Sequence, residues 1–182
     1  NYQRVKDRLC ADIPYERLEE IYREKTSFAC TASFSSLLFY QRRSLRRGGF
    51  FMRAPLDAEA DRTDLAWAVL ADIACSTHEQ LQHLVELTGN EGGPILGCGG
   101  GFQSEALCQM LSDLSGRELR LRAGFRQATV QGLVTLCNDY LGEVPAKRDS
   151  ALKTYHPRTG QLIHQYAPAW REARDRANDI KG

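Results

Sequence analysis

The spacing of apolar residues predicts helices over most of the chain, because apolar positions recur every three to four residues on one face. The first helical stretch is interrupted at Ile13-Pro14, where proline cannot continue the backbone hydrogen bonds. We expect Thr63 to cap the longest helix, which ends before Gly89. The predicted helices cover residues 4–25, 63–88, 105–114, 128–141 and 161–180.

Three short segments have the character of strands, namely Phe50-Phe51-Met52, Ile95-Leu96 and residues 118–122, where apolar and basic side chains alternate. The order helix, strand, turn, helix, strand, helix predicts an α/β layer. Residues 26–47 show no pattern that assigns them to an element. We therefore divide the chain into a helical and irregular segment, residues 1–49, and a lobe core, residues 50–182.

Composition places the chain among globular proteins, with 42% hydrophobic and 26% charged residues. Its 182 residues suffice for a domain with a sizeable core. The formal net charge of +1 gives no reason to expect a nucleic acid or an anionic membrane as partner. No run of apolar residues is long enough for a transmembrane helix, and the start at Asn1 has no signal-peptide pattern.

Six cysteines lie 10 to 45 residues apart, and none forms a Cys-x-x-Cys pair. This spacing fits neither a zinc knuckle nor a dense disulfide framework. Cys75 and Cys137 stand among apolar residues, so we expect them to behave as small hydrophobic side chains. The cysteines therefore predict free thiols and a cytoplasmic location.

The densest glycine stretch, Gly97-Cys98-Gly99-Gly100-Gly101, separates a predicted strand from a predicted helix. Consecutive glycines cost backbone entropy, so a fold keeps them where the chain needs positive φ or a close approach. Open α/β sheets bind ligands at the carboxyl ends of their strands. The stretch predicts either a ligand site or a tight packing turn.

Two common phosphate-binding motifs do not fit this stretch. The third glycine of a dinucleotide fingerprint would fall on Phe102, and no Gly-Lys-Ser/Thr of a Walker loop occurs in the sequence. His78 and His83 are five residues apart, which places them about 140° apart on a helix, so we predict no metal site there.

Other polar candidates have ordinary structural interpretations. The arginine cluster, residues 42–47, is interpreted as a solvated loop, with a docking patch for phosphate or nucleic acid as the alternative. Asp113 and Asp139 are expected at the surface or as helix caps. Gly132 lies inside a predicted helix, where close packing against a strand or a ligand would explain it.

Several motifs at matching separations resemble the adenosine motif of the FGGY carbohydrate kinases. They are the glycine-rich turn of residues 99–104, Asp113 and Gly116 at the end of the following helix, and the Gln-Ala-Thr-x-x-Gly of residues 127–132. Gln103 is similar to a glutamine common in the rhamnulokinase-like branch of the family. The resemblance implies an actin-like ATPase, ribonuclease-H-like lobe that is incomplete at its amino-terminal side.

The resemblance also implies a set of site residues. ATP would lie with adenine and ribose against Gly99, Gly100 and Gly101, and the site would continue through Phe102, Gln103 and Ser104. Ser104 stands where a base-contacting Asn is frequent in the family, and serine lacks the paired donor and acceptor of an amide. Gln127 stands where the family has Glu, which removes a charge.

From the resemblance we expect the carboxy-terminal, ATP-binding part of a sugar kinase that transfers the γ-phosphate to a sugar hydroxyl. No catalytic base and no metal ligand is predicted in this chain, so Mg²⁺ contacts and sugar contacts would come mainly from a missing amino-terminal lobe. The isolated chain would then lack kinase activity. The alternative is a non-catalytic interaction or regulatory module; an oxidoreductase domain is disfavoured by the position of Phe102.

Overall fold

The computed structural model describes residues 2–34, 37–38, 43–44, 48–52, 60–90, 92–142 and 151–179. The helices within these ranges are α1 (Tyr2–Leu9), α2 (Tyr15–Glu24), α3 (Arg62–Thr88), α4 (Glu105–Ser115), α5 (Ala128–Leu141) and α6 (Leu162–Asp179). The strands are β1 (Cys30–Ser33), β2 (Leu37–Leu38), β3 (Arg43–Ser44), β4 (Gly49–Met52), β5 (Ile95–Gly97), β6 (Leu119–Arg122) and β7 (Ala151–Tyr155). Two short 3-10 turns cover Gly100–Gln103 and Phe125–Gln127.

The largest described sheet has the order β5-β6-β7. β5 runs parallel to β6, with Ile95 opposite Leu119, and β7 runs antiparallel to β6, with Tyr155 opposite the same Leu119. Parallel neighbours require a crossover connection, which α4 supplies. The carboxyl ends of β5 and β6 therefore meet at one edge, where the glycine-rich turn lies.

A second, antiparallel pair joins the two parts into which the sequence was divided. β1 pairs with β4, and Ser33 lies opposite Gly49. The hydrophobic core likewise contains residues from both parts, such as Leu18 of α2 and Trp67 of α3. The boundary predicted between residues 49 and 50 thus falls inside β4, one residue after the strand begins.

The longest helix, α3, begins one residue earlier than predicted and has a different cap. The carboxylate of Asp61 accepts hydrogen bonds from the backbone amides of Thr63 and Asp64, and the Asp64 side chain accepts one from the Asp61 amide. The prediction of Thr63 as the cap is wrong, because this capping box already serves the first-turn amides. Gly89 ends the helix at φ 65°, as expected.

The remaining predicted helices and strands are confirmed within a few residues. α4 ends at Gly116, which has φ 65°, and α5 has its predicted bounds. Residues 26–47, which carried no assignable pattern, contain β1, β2 and β3. Within the described ranges, no helix is both long enough and apolar enough to cross a membrane.

α5 buries none of its side chains among the described residues. Close packing at Gly132 is not found there, because a Cβ at this position would have no atom within 4 Å. Cys137, expected among apolar neighbours, is exposed on the same helix, whereas Cys75 is buried as expected. The large hydrophobic side chains that α5 exposes are Val130, Leu133, Val134, Leu136, Tyr140 and Leu141.

Candidate functional site

The glycine turn, defined here as residues 97–104, links the carboxyl end of β5 to the first residue of α4. Gly99 has φ 97°, a conformation that side chains other than glycine rarely adopt. Gly100, Gly101 and Gln103 are exposed. Among the described residues, apart from the chain neighbours, no atom lies within 4 Å of where a Cβ would stand on Gly99 or Gly101, and the side-chain nitrogen of Gln103 lies 3.6 Å from that position on Gly100. In the part of the chain that is described, the outer face of the turn is therefore open.

A second turn supports the glycine turn from the end of β6. The backbone amide of Gly99 donates a 2.7 Å hydrogen bond to the carbonyl oxygen of Phe125. This second turn begins at Gly124, which has φ 74°. The guanidinium of Arg126 lies 5.8 Å from the centre of the Phe125 ring, with its side chain exposed. The site is therefore built from the two turns that follow the two parallel strands.

The side chain of Phe102 anchors the inner side of the glycine turn. A Cβ on Gly97 would lie 2.7 Å from both Phe102 and Leu121, so this close approach requires glycine. The thiol of Cys108 in α4 also donates a 3.4 Å hydrogen bond to the Phe102 carbonyl oxygen. Phe102 is partly buried against the core. The structure thus places its ring toward the sheet, and leaves Gln103 on the open side.

Ser104 is the N-cap of α4 and is buried. Its hydroxyl accepts a 3.1 Å hydrogen bond from the Leu107 amide and donates one of 2.7 Å to the carboxylate of Glu19 in α2. The other oxygen of Glu19 accepts from the Ala106 amide, also at 2.7 Å. The Ser104 hydroxyl is therefore engaged inside the protein on both its donor and its acceptor side.

The amino terminus of α4 already carries two carboxylates. Glu19 is buried against it, and Glu105 lies in its first turn, paired at 2.5 Å with Lys153. A helix amino terminus attracts anions through its free amides and its dipole. Because the carboxylates already supply negative charge here, this terminus is a poor place for a phosphate.

Tyr15 of α2 lies beside both Glu19 and Ser104. Burial raises the pKa of the Tyr15 hydroxyl, and the charge of Glu19 beside it acts in the same direction. A hydrogen bond with Ser104 opposes the increase. Sequence reasoning missed Glu19, which is separated from Ser104 by 85 positions in the chain.

Asp113 is neither a surface residue nor a cap, which corrects the expectation from sequence. Its side chain is 2% exposed. It accepts 2.8 Å hydrogen bonds from the backbone amide of Arg158 and from the side chain of Gln109, and the Arg158 guanidinium lies 3.1 Å away. Asp113 therefore holds the segment that precedes α6 against α4. Asp139, in contrast, is exposed on α5.

Other sequence candidates do not converge on the glycine turn. Gln127 precedes α5, is exposed, and its side chain makes no capping hydrogen bond. In the part of the chain that is described, no group of three or more His, Cys, Asp or Glu could hold a metal ion. Within the arginine cluster, the structure describes only the backbone of β3, and the other members lie outside the described residues.

Comparison with known proteins gives the site its family context. The sequence profile of the FGGY family of carbohydrate kinases, C-terminal domain, matches residues 18–138. YoaC of Bacillus subtilis (strain 168), which is named as a sugar kinase, is 32% identical over 174 residues. That match covers 94% of this chain and 36% of YoaC, so the chain spans about a third of its curated relative.

Solved structures show the same fold. Plasmodium falciparum glycerol kinase, determined with ADP, matches with a TM-score of 0.73 and 18% identity over 98% of this chain and 36% of its own. A ligand-bound xylulose kinase from Lactobacillus acidophilus matches with a TM-score of 0.70 and 15% identity, over 98% of this chain and 38% of its own.

The actin-like, ribonuclease-H-like α/β fold expected from the sequence is confirmed by these neighbours, of which the chain corresponds to a part. The match to the family profile begins at residue 18 and so includes most of α2 and all of β1. Assignment to the rhamnulokinase-like branch stays a prediction. The chain belongs to the FGGY family of carbohydrate kinases and contains the C-terminal domain of that family.

Proposed function

We propose that this chain is the nucleotide-binding part of an ATP-dependent sugar kinase, and that its glycine turn receives the adenosine end of ATP. The observation that carries the proposal is the open backbone of Gly99, Gly100 and Gly101 at the edge where β5 and β6 both end. A flat base and a ribose can approach such a backbone closely, because no Cβ intervenes. Family membership and the ADP in the related glycerol kinase structure support this assignment.

The six predicted site residues divide into two roles in this proposal. Gly99, Gly100 and Gly101 form the contact surface, and the exposed amide of Gln103 can both donate to and accept from an adenine edge. Phe102 and Ser104 fix the turn from inside, through the packing and hydrogen bonds described above. In this role Ser104 acts on the nucleotide through the shape of the turn.

The phosphates would extend away from α4. The Ala106 and Leu107 amides at its amino terminus already donate to Glu19 and Ser104, and the buried Glu19 carboxylate would repel a polyphosphate there. Phosphoryl transfer depends on in-line positioning of the γ-phosphate and the acceptor hydroxyl, with charge stabilisation around them. This chain spans about a third of its relatives' length. We assign the binding of the acceptor sugar, the catalytic base and the Mg²⁺ ligands to the part of the kinase that corresponds to the other two thirds. Among the described residues, no group of three or more His, Cys, Asp or Glu could hold Mg²⁺.

Two finer assignments belong to the same proposal. The exposed Gln103 favours the rhamnulokinase-like branch, since that glutamine carries the similarity to it. The free thiols of the chain, four of them buried, favour a reducing cytoplasm.

A non-catalytic module derived from the same lobe is the second candidate. It is favoured by the internal engagement of the Ser104 hydroxyl, which removes one polar contact from the base. Such a module would not bind ADP.

Calorimetric titration of the 182-residue chain with ADP tests the proposal. We expect weak, saturable binding that Gly100→Val reduces by at least about tenfold, since a branched side chain would cover the open face. Gly92→Val is the matched control, because Gly92 is exposed in the loop before β5 and has open space around it. Absence of heat with ADP, or equal affinity of the Gly100→Val variant, would refute the site. The isolated chain should form no ADP from ATP when sugars are added.

A further inference from the structure

We infer that Glu19 of α2 is a positioning residue for the glycine turn, so that nucleotide affinity depends on the helical segment at the start of the chain. The inference rests on the proposed function of the turn. Glu19 is not part of the sequence motifs that resemble the FGGY kinases, and it makes no contact with the open face of the glycine turn.

Glu19 supplies a capping group to α4 from a distant helix. Glu19 is 6% exposed, and its two carboxylate oxygens accept 2.7 Å hydrogen bonds from the Ser104 hydroxyl and from the Ala106 amide. The Tyr15 side chain is also hydrogen-bonded to Glu19. The Ser104 hydroxyl in turn accepts from Leu107. A capping box normally draws both partners from one helix. Here α2 supplies the carboxylate.

The turn is fixed at both ends. At one end the amide of Gly99 is bonded to Phe125, and at the other Ser104 is bonded to Glu19. The backbone amide of Ser104 also donates to the carbonyl oxygen of Gly101 at 3.3 Å, which closes the 3-10 turn. A change in the orientation of Ser104 would therefore reach Gly101, which belongs to the proposed contact surface.

The position of Glu19 is set by the core. Its neighbour Leu18 is fully buried, and Tyr22, one turn further along α2, is 4% exposed. At the amino terminus of α4, the Ala106 amide and the Ser104 hydroxyl face the Glu19 carboxylate, and the helix dipole stabilises its charge. Glutamine at this position would keep one acceptor oxygen for two buried donors and would place an NH₂ group where the second oxygen stood. One of the two donors would then have to reorient or admit water to regain an acceptor.

The test compares Glu19→Gln with two controls in the 182-residue chain. Glu20→Gln changes the neighbouring carboxylate, which is exposed and paired with Arg17. Val69→Ala opens a cavity in α3 and lowers stability without touching the turn. We expect Glu19→Gln to weaken ADP binding about tenfold while both controls keep wild-type affinity. Amide hydrogen exchange at residues 99–102 should speed up only in Glu19→Gln, well below the unfolding temperature.

Ser104→Ala tests the same link from the other side, should Glu19→Gln fail to fold. It should reproduce the weak binding and the fast exchange, and Ser104→Thr should restore both, because threonine keeps the hydroxyl. Wild-type affinity and exchange in a folded Glu19→Gln or Ser104→Ala variant would overturn the inference. If the wild-type chain does not bind ADP, the proposed function fails, and the exchange rates at residues 99–102 alone decide whether Glu19 positions the turn.

Discussion

The indole nitrogen of Trp170 in α6 donates a 2.6 Å hydrogen bond to the carboxylate of Asp72 in α3, and both side chains are buried. The second oxygen of Asp72 accepts from the backbone amide of Phe34, just after β1, at 3.0 Å. One buried carboxylate thus links α3, α6 and the end of β1. Buried polar groups of this kind are costly when one partner is removed.

Trp170→Phe should therefore destabilise the chain more than Trp67→Phe. Both indoles are buried, but the nitrogen of Trp67 has no hydrogen-bond partner among the described residues, so its replacement removes volume alone. We expect the Trp170 variant to lose about 1–3 kcal/mol more in the free energy of unfolding, measured by urea denaturation. Equal losses would show that the hydrogen bond to Asp72 contributes little.

Asp113→Ala and Asp139→Ala should separate two aspartates that look alike in sequence. Asp113 is the buried acceptor for the Arg158 amide, so its loss should cost about 1–3 kcal/mol of unfolding free energy. Asp139 is exposed on α5 and should stay within about 0.5 kcal/mol of wild type. Thermal and urea unfolding measure both, and a neutral Asp113→Ala would contradict its clamping role.

Gly97→Ala should destabilise the chain, and Gly132→Ala should not. The added Cβ at Gly97 would stand 2.7 Å from Leu121 and Phe102, and overpacking of that kind costs about 1–3 kcal/mol. Gly132 lies in the middle of α5, and a Cβ added there would point into open space. At such a position alanine is favoured over glycine by about 1 kcal/mol. Chemical denaturation of the two variants measures the changes in the free energy of unfolding. A Gly97→Ala variant that is as stable as wild type would contradict the close approach described at the turn.

Thiol reactivity should distinguish two cysteines from the other four. Cys98 and Cys137 are exposed, so a thiol-reactive disulfide reagent should modify both rapidly in the native chain. Burial raises the pKa of Cys30 to about 11 and that of Cys108 to about 12, so both stay protonated and shielded from pH 7 to 9. Peptide mapping should find them modified only after unfolding. Rapid native labelling of Cys108 would contradict the packing of α4.

The helices whose apolar residues recur at a regular spacing were predictable from the sequence, because their bounds depend on residues close to them in the chain. α5 has its predicted bounds, and Gly89 and Gly116 end their helices as expected, because each depends on a few neighbouring residues. The α3 cap was misassigned because Asp61 and Thr63 both suit a cap, and only the geometry shows which side-chain oxygen accepts from the first-turn amides. The strand β1 is short and made of the small residues Cys-Thr-Ala-Ser, and all four are buried, so no contrast between a buried and an exposed face marks it.

The site was predictable only in part. The glycine turn was recognisable in the sequence because both the positive φ at Gly99 and the close approach at Gly97 require glycine. Glu19 was not recognisable, since a buried carboxylate that caps another helix has the same sequence pattern as any acidic residue on an amphipathic helix. The burial of Asp113 was missed for the same reason, because its partner Arg158 is 45 residues away in the chain.

The pairing of Ser33 with Gly49 has a consequence for how the chain can vary in length. The intervening segment, which includes the paired strands β2 and β3, begins and ends at neighbouring positions on one two-stranded ladder. That ladder holds the two ends of the segment together. Each doubling of such a segment costs only about 0.6 kcal/mol in closure entropy. The arginine cluster lies in this stretch. The length and the charge of this segment could therefore change in evolution while the helices and turns on either side keep their places.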